Sequence, residues 1–163
     1  MKCLKRRRPV SQKVNFEMNQ YLKRKGKEKN KMKILIVEDD MISRKFLSKF
    51  LEQYGECDIV VDGMEALDAY LIAEKEKQPY DLIFLDIMMP KIDGIKVLKA
   101  IRDFEKQRKI MTEDQVKIII ITALADTEFV HQAFEIGCEA YAAKPIDTDK
   151  LVEVMNKLGI AKE

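Results

Sequence analysis

The feature that most constrains the fold is an alternation of five short apolar runs with five segments of helical apolar spacing. The runs are rich in branched side chains and cover residues 34–37, 59–61, 82–85, 116–121 and 140–143. Each is followed by apolar residues at intervals of three and four, such as Val97, Leu98 and Ile101, and this spacing indicates an amphipathic helix. Five β/α units in succession predict a parallel sheet with helices on both faces.

The runs are almost continuously apolar, as expected for strands that are covered on both faces. With right-handed crossovers, five strands predict an α/β, doubly wound, five-stranded parallel sheet in the flavodoxin-like order 2-1-3-4-5. Asp62, with Glu65 three residues later, stands where a helix N-cap is expected, and so do Asp126 and Asp147. The stretch 102–114, before the fourth strand, is expected to hold the end of the third helix and a polar loop.

Charge divides the chain into two parts. The net charge is +2, but residues 1–31 carry a net of +10 and residues 32–163 a net of −8. We interpret residues 1–31 as a basic, disordered N-terminal arm and residues 32–163 as the folded domain. The arm could contact a nucleic acid or an anionic surface. We favour a solvated leader, or an upstream extension of a natural start at Met32, because Met32 opens directly into a strand.

Composition narrows the class of protein further. No window approaches the roughly 20 apolar residues that span a bilayer, and the basic N-terminus lacks the apolar region of a signal peptide. A cytoplasmic protein with no membrane partner is therefore predicted. Cys3, Cys57 and Cys138 are odd in number and widely spaced, which argues against a disulfide framework or a structural zinc site. We expect Cys57 and Cys138 to be small buried apolar residues.

Polar side chains follow four of the five predicted strands. Glu38 and Asp39 follow the first, Asp86 the third, Thr122 the fourth and Lys144 the fifth. In doubly wound sheets these strand ends meet in one cleft. Three adjacent carboxylates are unstable without a cation, and Mg²⁺ is the natural choice. A metal, an ammonium and a hydroxyl around one carboxylate would make a phosphoryl-binding site.

Each of these residues also has an ordinary structural interpretation. Asp40 directly precedes a helix and is expected to cap it. Taken alone, Lys144 would be a surface lysine and Thr122 a strand-end hydroxyl. The convergence of four strand ends is what favours a functional site.

Four motifs resemble the bacterial receiver domains of two-component systems, particularly the stand-alone chemotaxis type. They are ILIVEDD at residues 34–40, LDIMMPKIDG at 85–94, ITA at 121–123 and YAAKP at 141–145. The resemblance extends from residue 32 to about residue 158. It implies that Asp86 is the phosphoacceptor and that Lys144 is its phosphate partner. It also implies that Asp39 binds Mg²⁺ directly, Glu38 through water, and Met88 through its backbone carbonyl, with Mn²⁺ as a substitute.

The same resemblance implies a function in phosphorelay signalling. A sensor histidine kinase or a histidine phosphotransfer domain would supply the phosphoryl group. Thr122 and Tyr141 would be a switch pair that alters the surface around the fourth helix. The output would pass to an unknown downstream protein or through a phosphorylation-dependent homodimer, and no nucleic-acid partner is expected. The chain would not be an enzyme beyond its own phosphorylation and dephosphorylation, and the Lys144–Pro145 bond should be cis.

Three other classes of protein are weighed against the receiver interpretation. A phosphatase of the haloacid-dehalogenase type needs a second Asp two residues after the nucleophile, where this chain has Met88. A nucleotide- or flavin-binding module would have a glycine-rich loop in place of Glu38 and Asp39. A degenerate receiver would lack some of the site residues. His131, the single histidine, is expected to be an exposed helix residue, so the chain is not itself the kinase.

Overall fold

The structure is a computed structural model that describes residues 31–123 and 127–162. The predicted basic arm therefore lies outside the described residues, apart from Lys31. Leu124 and the predicted helix cap Asp126 lie outside them as well. Within the described part of the chain, no helix is long and apolar enough to cross a membrane.

Strands and helices alternate as the apolar pattern predicts. The described residues form β1 (Met32–Val37), α1 (Met41–Leu51), β2 (Gly55–Val60), α2 (Gly63–Lys75), β3 (Leu82–Asp86), α3 (Gly94–Gln107), a 3-10 helix (Thr112–Asp114), β4 (Lys117–Thr122), α4 (Glu128–Ile136), β5 (Ala140–Ala143) and α5 (Thr148–Lys157). All strand pairs are parallel, and their order is β2-β1-β3-β4-β5. The predicted fold class and strand order are confirmed.

Two apolar layers cover the sheet, one on each face. Leu47 and Leu51 of α1 and Leu151 and Met155 of α5 pack on one face. Buried side chains of α2, α3 and α4 pack on the other face, and they include Ala66, Tyr70, Val97, Leu98, Ile101 and Ala133. Three large apolar residues of the helices, Phe46, Leu71 and Phe134, are 38–46% exposed.

Aspartate side chains begin most of the helices. Asp40, Asp62 and Asp147 each accept a hydrogen bond from a backbone N–H of the first turn, as expected for these positions. Asp93 caps α3 in the same way, although its position was not predicted as a cap. Thr127 is the N-cap residue of α4.

The predicted start of the second strand is wrong, because β2 begins at Gly55 and not at residue 59. This strand lies at the edge of the sheet, and its polar residues Glu56 and Asp58 interrupt the apolar run that would mark a strand. Gly55 is required there because a Cβ would lie 2.1 Å from the carbonyl oxygen of Met32. Cys57 in this strand is half-buried and not buried as expected, whereas Cys138 is buried. Burial raises the pKa of both thiols to about 11.

The third helix ends at Gln107, and its second half carries a partly buried ionic network. The Arg102 guanidinium contacts Glu105 at 2.6 Å and Glu139 at 3.1 Å, and it donates to the carbonyl oxygens of Val116 and Gly137 at 2.9 Å. In turn, Glu105 accepts from the N–H of Val116, and Glu139 from the N–H of Ile118. This Arg102 network ties α3 to the amino ends of β4 and β5.

Candidate functional site

The carboxyl ends of β1 and β3 bring three acidic side chains together. Glu38 and Asp39 directly follow β1, and Asp86 is the last residue of β3. Carboxylate oxygens of these three residues all lie within 4.8 Å of one another. Glu38 and Asp86 are buried, whereas Asp39 is exposed to solvent. We call these residues the acidic cluster, and its members are those that the sequence predicts.

Lys144 supplies the cation that faces the acidic cluster. Its Nζ lies 3.1 Å from Oδ2 of Asp86 and 2.8 Å from Oε2 of Glu38. The contact with Glu38 is an ion pair. Burial lowers the pKa of Lys144, but the two carboxylates outweigh it and raise that pKa overall. The Lys144–Pro145 bond is cis, as predicted.

The surroundings of Asp86 disfavour the charged form of its carboxyl group. Burial is the main cause that raises its pKa from 3.8 to about 7, and the neighbouring Glu38 raises it further. Lys144 acts in the opposite direction and does not cancel these effects. Three carboxylates lie close together and Lys144 pairs with two of them, so the cluster carries an excess of negative charge. A divalent cation with oxygen ligands would relieve this excess.

The loop after β3 folds back closely over the strand end. The N–H of Met88 donates to Oδ1 of Asp86 at 3.1 Å, and the N–H of Gly94 donates to the carbonyl oxygen of Ile87. Gly94 is required here because a Cβ would lie 2.2 Å from the carbonyl oxygen of Asp86. The Met88 side chain points outward and is 57% exposed. These contacts orient the Asp86 carboxylate.

The two predicted switch residues lie in different surroundings. Thr122 is fully buried at the end of β4, beside the acidic cluster in the strand order, and its carbonyl oxygen accepts from the N–H of Lys144. Tyr141 lies on the edge strand β5 and is half-buried. Its ring makes a T-shaped contact with Phe134 of α4, with 6.1 Å between ring centroids. His131 is exposed on α4, as expected.

One contact near the site has no counterpart in the sequence prediction. Lys91 Nζ lies 2.8 Å from Oδ2 of Asp62 and so joins the loop after β3 to the loop after β2. The sequence marks Asp62 only as a helix cap, and Lys91 reads as an ordinary loop lysine. No local pattern links two residues that are 29 positions apart.

Comparisons with known proteins agree with this geometry. Residues 34–156 match the family described as the response regulator receiver domain. The chain is 36% identical over 124 residues to the chemotaxis protein CheY of Treponema pallidum, which covers 74% of this chain and 78% of that protein. Hybrid histidine kinases of Dictyostelium discoideum are also similar, but the chain spans only 7% and 11% of their length.

Two solved structures share the fold of this chain. One is the complex of CheX, CheY, BeF3 and Mg²⁺ from Borrelia burgdorferi, with a TM-score of 0.67 and 28% identity over 80% of this chain and 90% of that one. The other joins the phosphotransfer protein Ypd1 of Saccharomyces cerevisiae to the receiver domain of Ssk1, with a TM-score of 0.65 and 28% identity over 81% and 93%. By sequence and by fold, the chain belongs to the response regulator receiver domain family.

Proposed function

We propose that Asp86 accepts a phosphoryl group from a phosphohistidine and that the protein signals in this way within a two-component pathway. The observation that carries the proposal is the position of Asp86 at the end of a central strand. It is buried there with two further carboxylates within 4.8 Å, and an ammonium group lies 3.1 Å from Oδ2. This arrangement is suited to phosphoryl transfer, which depends mainly on positioning and on charge stabilisation.

In the proposed step, an oxygen of Asp86 bonds to phosphorus as the P–N bond of the phosphohistidine breaks. The product is an acyl phosphate. Lys144 lies beside Oδ2 and would neutralise negative charge on the transferred group. The N–H of Met88 holds Oδ1 and keeps the carboxylate in one orientation. Transfer from small acyl phosphates and subsequent hydrolysis would be the only chemistry of the chain itself.

The acidic cluster fits a divalent cation with oxygen ligands, because its three carboxylates lie within 4.8 Å of one another and Lys144 pairs with two of them. Mg²⁺ is our candidate, with Mn²⁺ as a substitute. Asp39 and Asp86 would hold it directly together with the carbonyl of Met88, and Glu38 through water. When bound, the cation would withdraw negative charge from the transferring group. The similar CheY of Borrelia burgdorferi was solved with BeF3 and Mg²⁺, which supports this assignment.

Phosphorylation would alter the surface through Thr122 and Tyr141. The new dianionic group would draw the Thr122 hydroxyl towards Asp86, and Tyr141 would leave Phe134 and turn inward. This change is a population shift between two states, because the phosphoryl group makes contacts in only one of them. Tyr141 and Phe134 line a groove with Val154 and Leu158, so the shift would change that groove.

The partners follow from the proposed chemistry. A phosphohistidine donor would be a sensor histidine kinase or a histidine phosphotransfer domain. The Ypd1 complex of the similar Ssk1 receiver supports the latter class. A downstream target and a phosphorylation-dependent homodimer remain proposals, as does a cytoplasmic location.

Acetyl phosphate with Mg²⁺ tests the proposal, with intact mass as the measurement. The parent protein should gain the mass of one phosphoryl group, and Asp86→Asn should gain none. Asp103→Asn removes an exposed carboxylate of α3 and serves as the matched control, which should behave as the parent does. An undiminished gain in Asp86→Asn would overturn the assignment. Incubation with candidate histidine kinases and labelled ATP would then identify the donor.

A further inference from the structure

The loop between β3 and α3 is held in an uncommon backbone conformation. Lys91 has a φ of +68°, in the left-handed region that side chains with a Cβ seldom adopt. Such a conformation persists only where the surrounding contacts impose it. The loop lies between Asp86 and Gly94, so it includes the backbone of Met88. Whatever imposes the conformation of Lys91 also acts on the path of the chain beside the acidic cluster.

The side chain of Lys91 is tied to a carboxylate that is itself fixed. Asp62 is 5% exposed, and its Oδ1 accepts from the N–H of Glu65 at 2.9 Å while its Oδ2 contacts Lys91 Nζ at 2.8 Å. Glu65 in return accepts from the N–H of Val61. The start of α2 therefore holds the Asp62 carboxylate in place, and the carboxylate provides a fixed anchor for Lys91.

The two loops also touch through their backbones. A Cβ on Gly63 would lie 2.4 Å from the carbonyl oxygen of Ile92 and 2.9 Å from Cγ2 of Val97. The loop after β3 is thus pressed against the start of α2 at Ile92 and bound to it at Lys91. Its other end is fixed by the hydrogen bond from the N–H of Gly94 to Ile87. The Met88 backbone lies between these restraints.

We infer that Lys91 is a positioning residue, whose ion pair with Asp62 holds the Met88 backbone in the conformation that the cation site needs. The inference rests on the proposed function, in which the carbonyl of Met88 is a cation ligand. Lys91 touches neither the phosphoryl group nor the cation in this account. Its effect passes through the backbone of the loop.

The sign of the effect separates positioning from simple electrostatics. Loss of a positive charge near a cation site should strengthen cation binding, because repulsion is reduced. Loss of the Lys91 anchor should instead weaken it, because the Met88 carbonyl is no longer held in place. Lys96 provides a matched control. It lies in the first turn of α3, its side chain is 73% exposed against 64% for Lys91, and its contact with Asp93 is long, at 3.8 Å.

The test is a calorimetric Mg²⁺ titration of the unphosphorylated parent and of Lys91→Met, Lys91→Arg and Lys96→Met. We expect Lys91→Met to bind Mg²⁺ about three- to tenfold more weakly, Lys91→Arg to bind as the parent does, and Lys96→Met to bind equally or slightly more tightly. Amide exchange at Met88, whose N–H is bonded to Asp86, should become faster in Lys91→Met alone.

Thermal unfolding in EDTA accompanies each titration, so that a general loss of stability is detected separately. Suppose that the parent binds Mg²⁺ and is phosphorylated, but Lys91→Met binds Mg²⁺ as tightly as Lys96→Met does. That result would overturn this inference and leave the proposed function intact. A parent that neither binds Mg²⁺ nor accepts a phosphoryl group would overturn the proposed function and this inference together.

Discussion

Acidic side chains are buried at both ends of the sheet, but the two ends differ in the hydrogen-bond donors and cations that these side chains contact. At the amino ends of the strands, Glu105 is 1% exposed, and each of its oxygens accepts a hydrogen bond, one from Arg102 and one from the N–H of Val116. At the carboxyl ends, Oε2 of Glu38 has only its ion pair with Lys144. A guanidinium with five donors serves the first site, whereas one ammonium is shared by Glu38 and Asp86 at the second.

This difference distinguishes a structural network from a reactive one. The Arg102 network gives Glu105 and Glu139 each a guanidinium contact and a backbone N–H, so its charges are held without any added group. The acidic cluster has too few donors for its charge. Burial, and then the neighbouring Glu38, raise the pKa of Asp86 to about 7. The uncompensated negative charge of the acidic cluster lowers the stability of the protein. The same charge would favour the binding of a cation, beside which a phosphoryl group could be held.

The largest expected effect is on stability, from a substitution in the Arg102 network. Arg102→Met would leave Glu105 buried without its cation, and we expect a loss of about 3–5 kcal/mol in the free energy of unfolding. Urea denaturation in EDTA measures it. Acetyl phosphate should still phosphorylate the folded fraction, because the network lies at the opposite end of the strands.

Arg108→Met is the control for this variant. The Arg108 side chain is exposed and lies over the ring of Phe104, so its loss should change stability by less than about 1 kcal/mol. Equal destabilisation by both substitutions would remove the distinction between a buried network and a solvated helix face.

The second effect should have the opposite sign. Asp86→Asn removes a carboxylate whose pKa is raised from 3.8 to about 7, so it should stabilise the metal-free protein by about 2–4 kcal/mol at neutral pH, since one pKa unit corresponds to about 1.4 kcal/mol. Between about pH 4 and 7 the folded parent binds more protons than the unfolded chain, so ionisation of Asp86 lowers its stability as pH rises.

The pH dependence provides the check on this second prediction. The advantage of Asp86→Asn over the parent, measured by urea denaturation in EDTA, should be near zero at about pH 4 and grow towards pH 7. Mg²⁺ should stabilise the parent and have little effect on the variant. A stability difference that does not change with pH would show that the charge of Asp86 is not under-compensated.

The third prediction ranks two acidic residues by their roles in cation binding. Asp39→Ala should remove most Mg²⁺ binding, with an affinity loss of about tenfold or more, and Glu38→Ala should have a smaller effect. Asp39 is exposed and open to a cation, whereas Glu38 is fully buried and paired with Lys144. Equal losses in a calorimetric titration would contradict the ranking.

The smallest effect concerns the lifetime of the phosphorylated state. Met88 and Leu124 stand two residues after Asp86 and Thr122, where a polar side chain could orient a water for hydrolysis. We predict a long-lived acyl phosphate, and Met88→Asn with Leu124→Glu should speed phosphate release by about tenfold. That is below the ~10²-fold typical of general acid–base help, because the new side chains would only orient the water. Unchanged release would show that these positions do not set the lifetime.

How much the sequence predicts depends on whether a feature is local. The strand order, the acidic cluster and Lys144 follow from apolar runs and from the residues directly after them. The start of β2 was missed because Glu56 and Asp58 lie on an edge strand, where polar residues are tolerated. Its register is fixed by a close contact between Gly55 and Met32, which only the folded structure reveals.

The ionic contacts were missed for a related reason. Arg102 and Glu105 are three positions apart on a helix, a spacing that also occurs on solvated helix faces. Arg102 also pairs with Glu139, which is 37 residues away in the sequence. Whether a charged pair is buried is decided by tertiary packing, and helical periodicity carries no information about it.

The strand order has a consequence for when the protein becomes competent to react. Lys144 and Asp86 are 58 residues apart, and the strand that leads to Glu38 lies between β2 and β3 in the sheet. These pairings close long loops, and contacts of this kind form late because their entropic cost must be met first. A partly folded chain would have the sequence motifs without the cleft. Only a fully synthesised and folded domain would therefore be phosphorylated. Incomplete chains would not accept the phosphoryl group and would not signal.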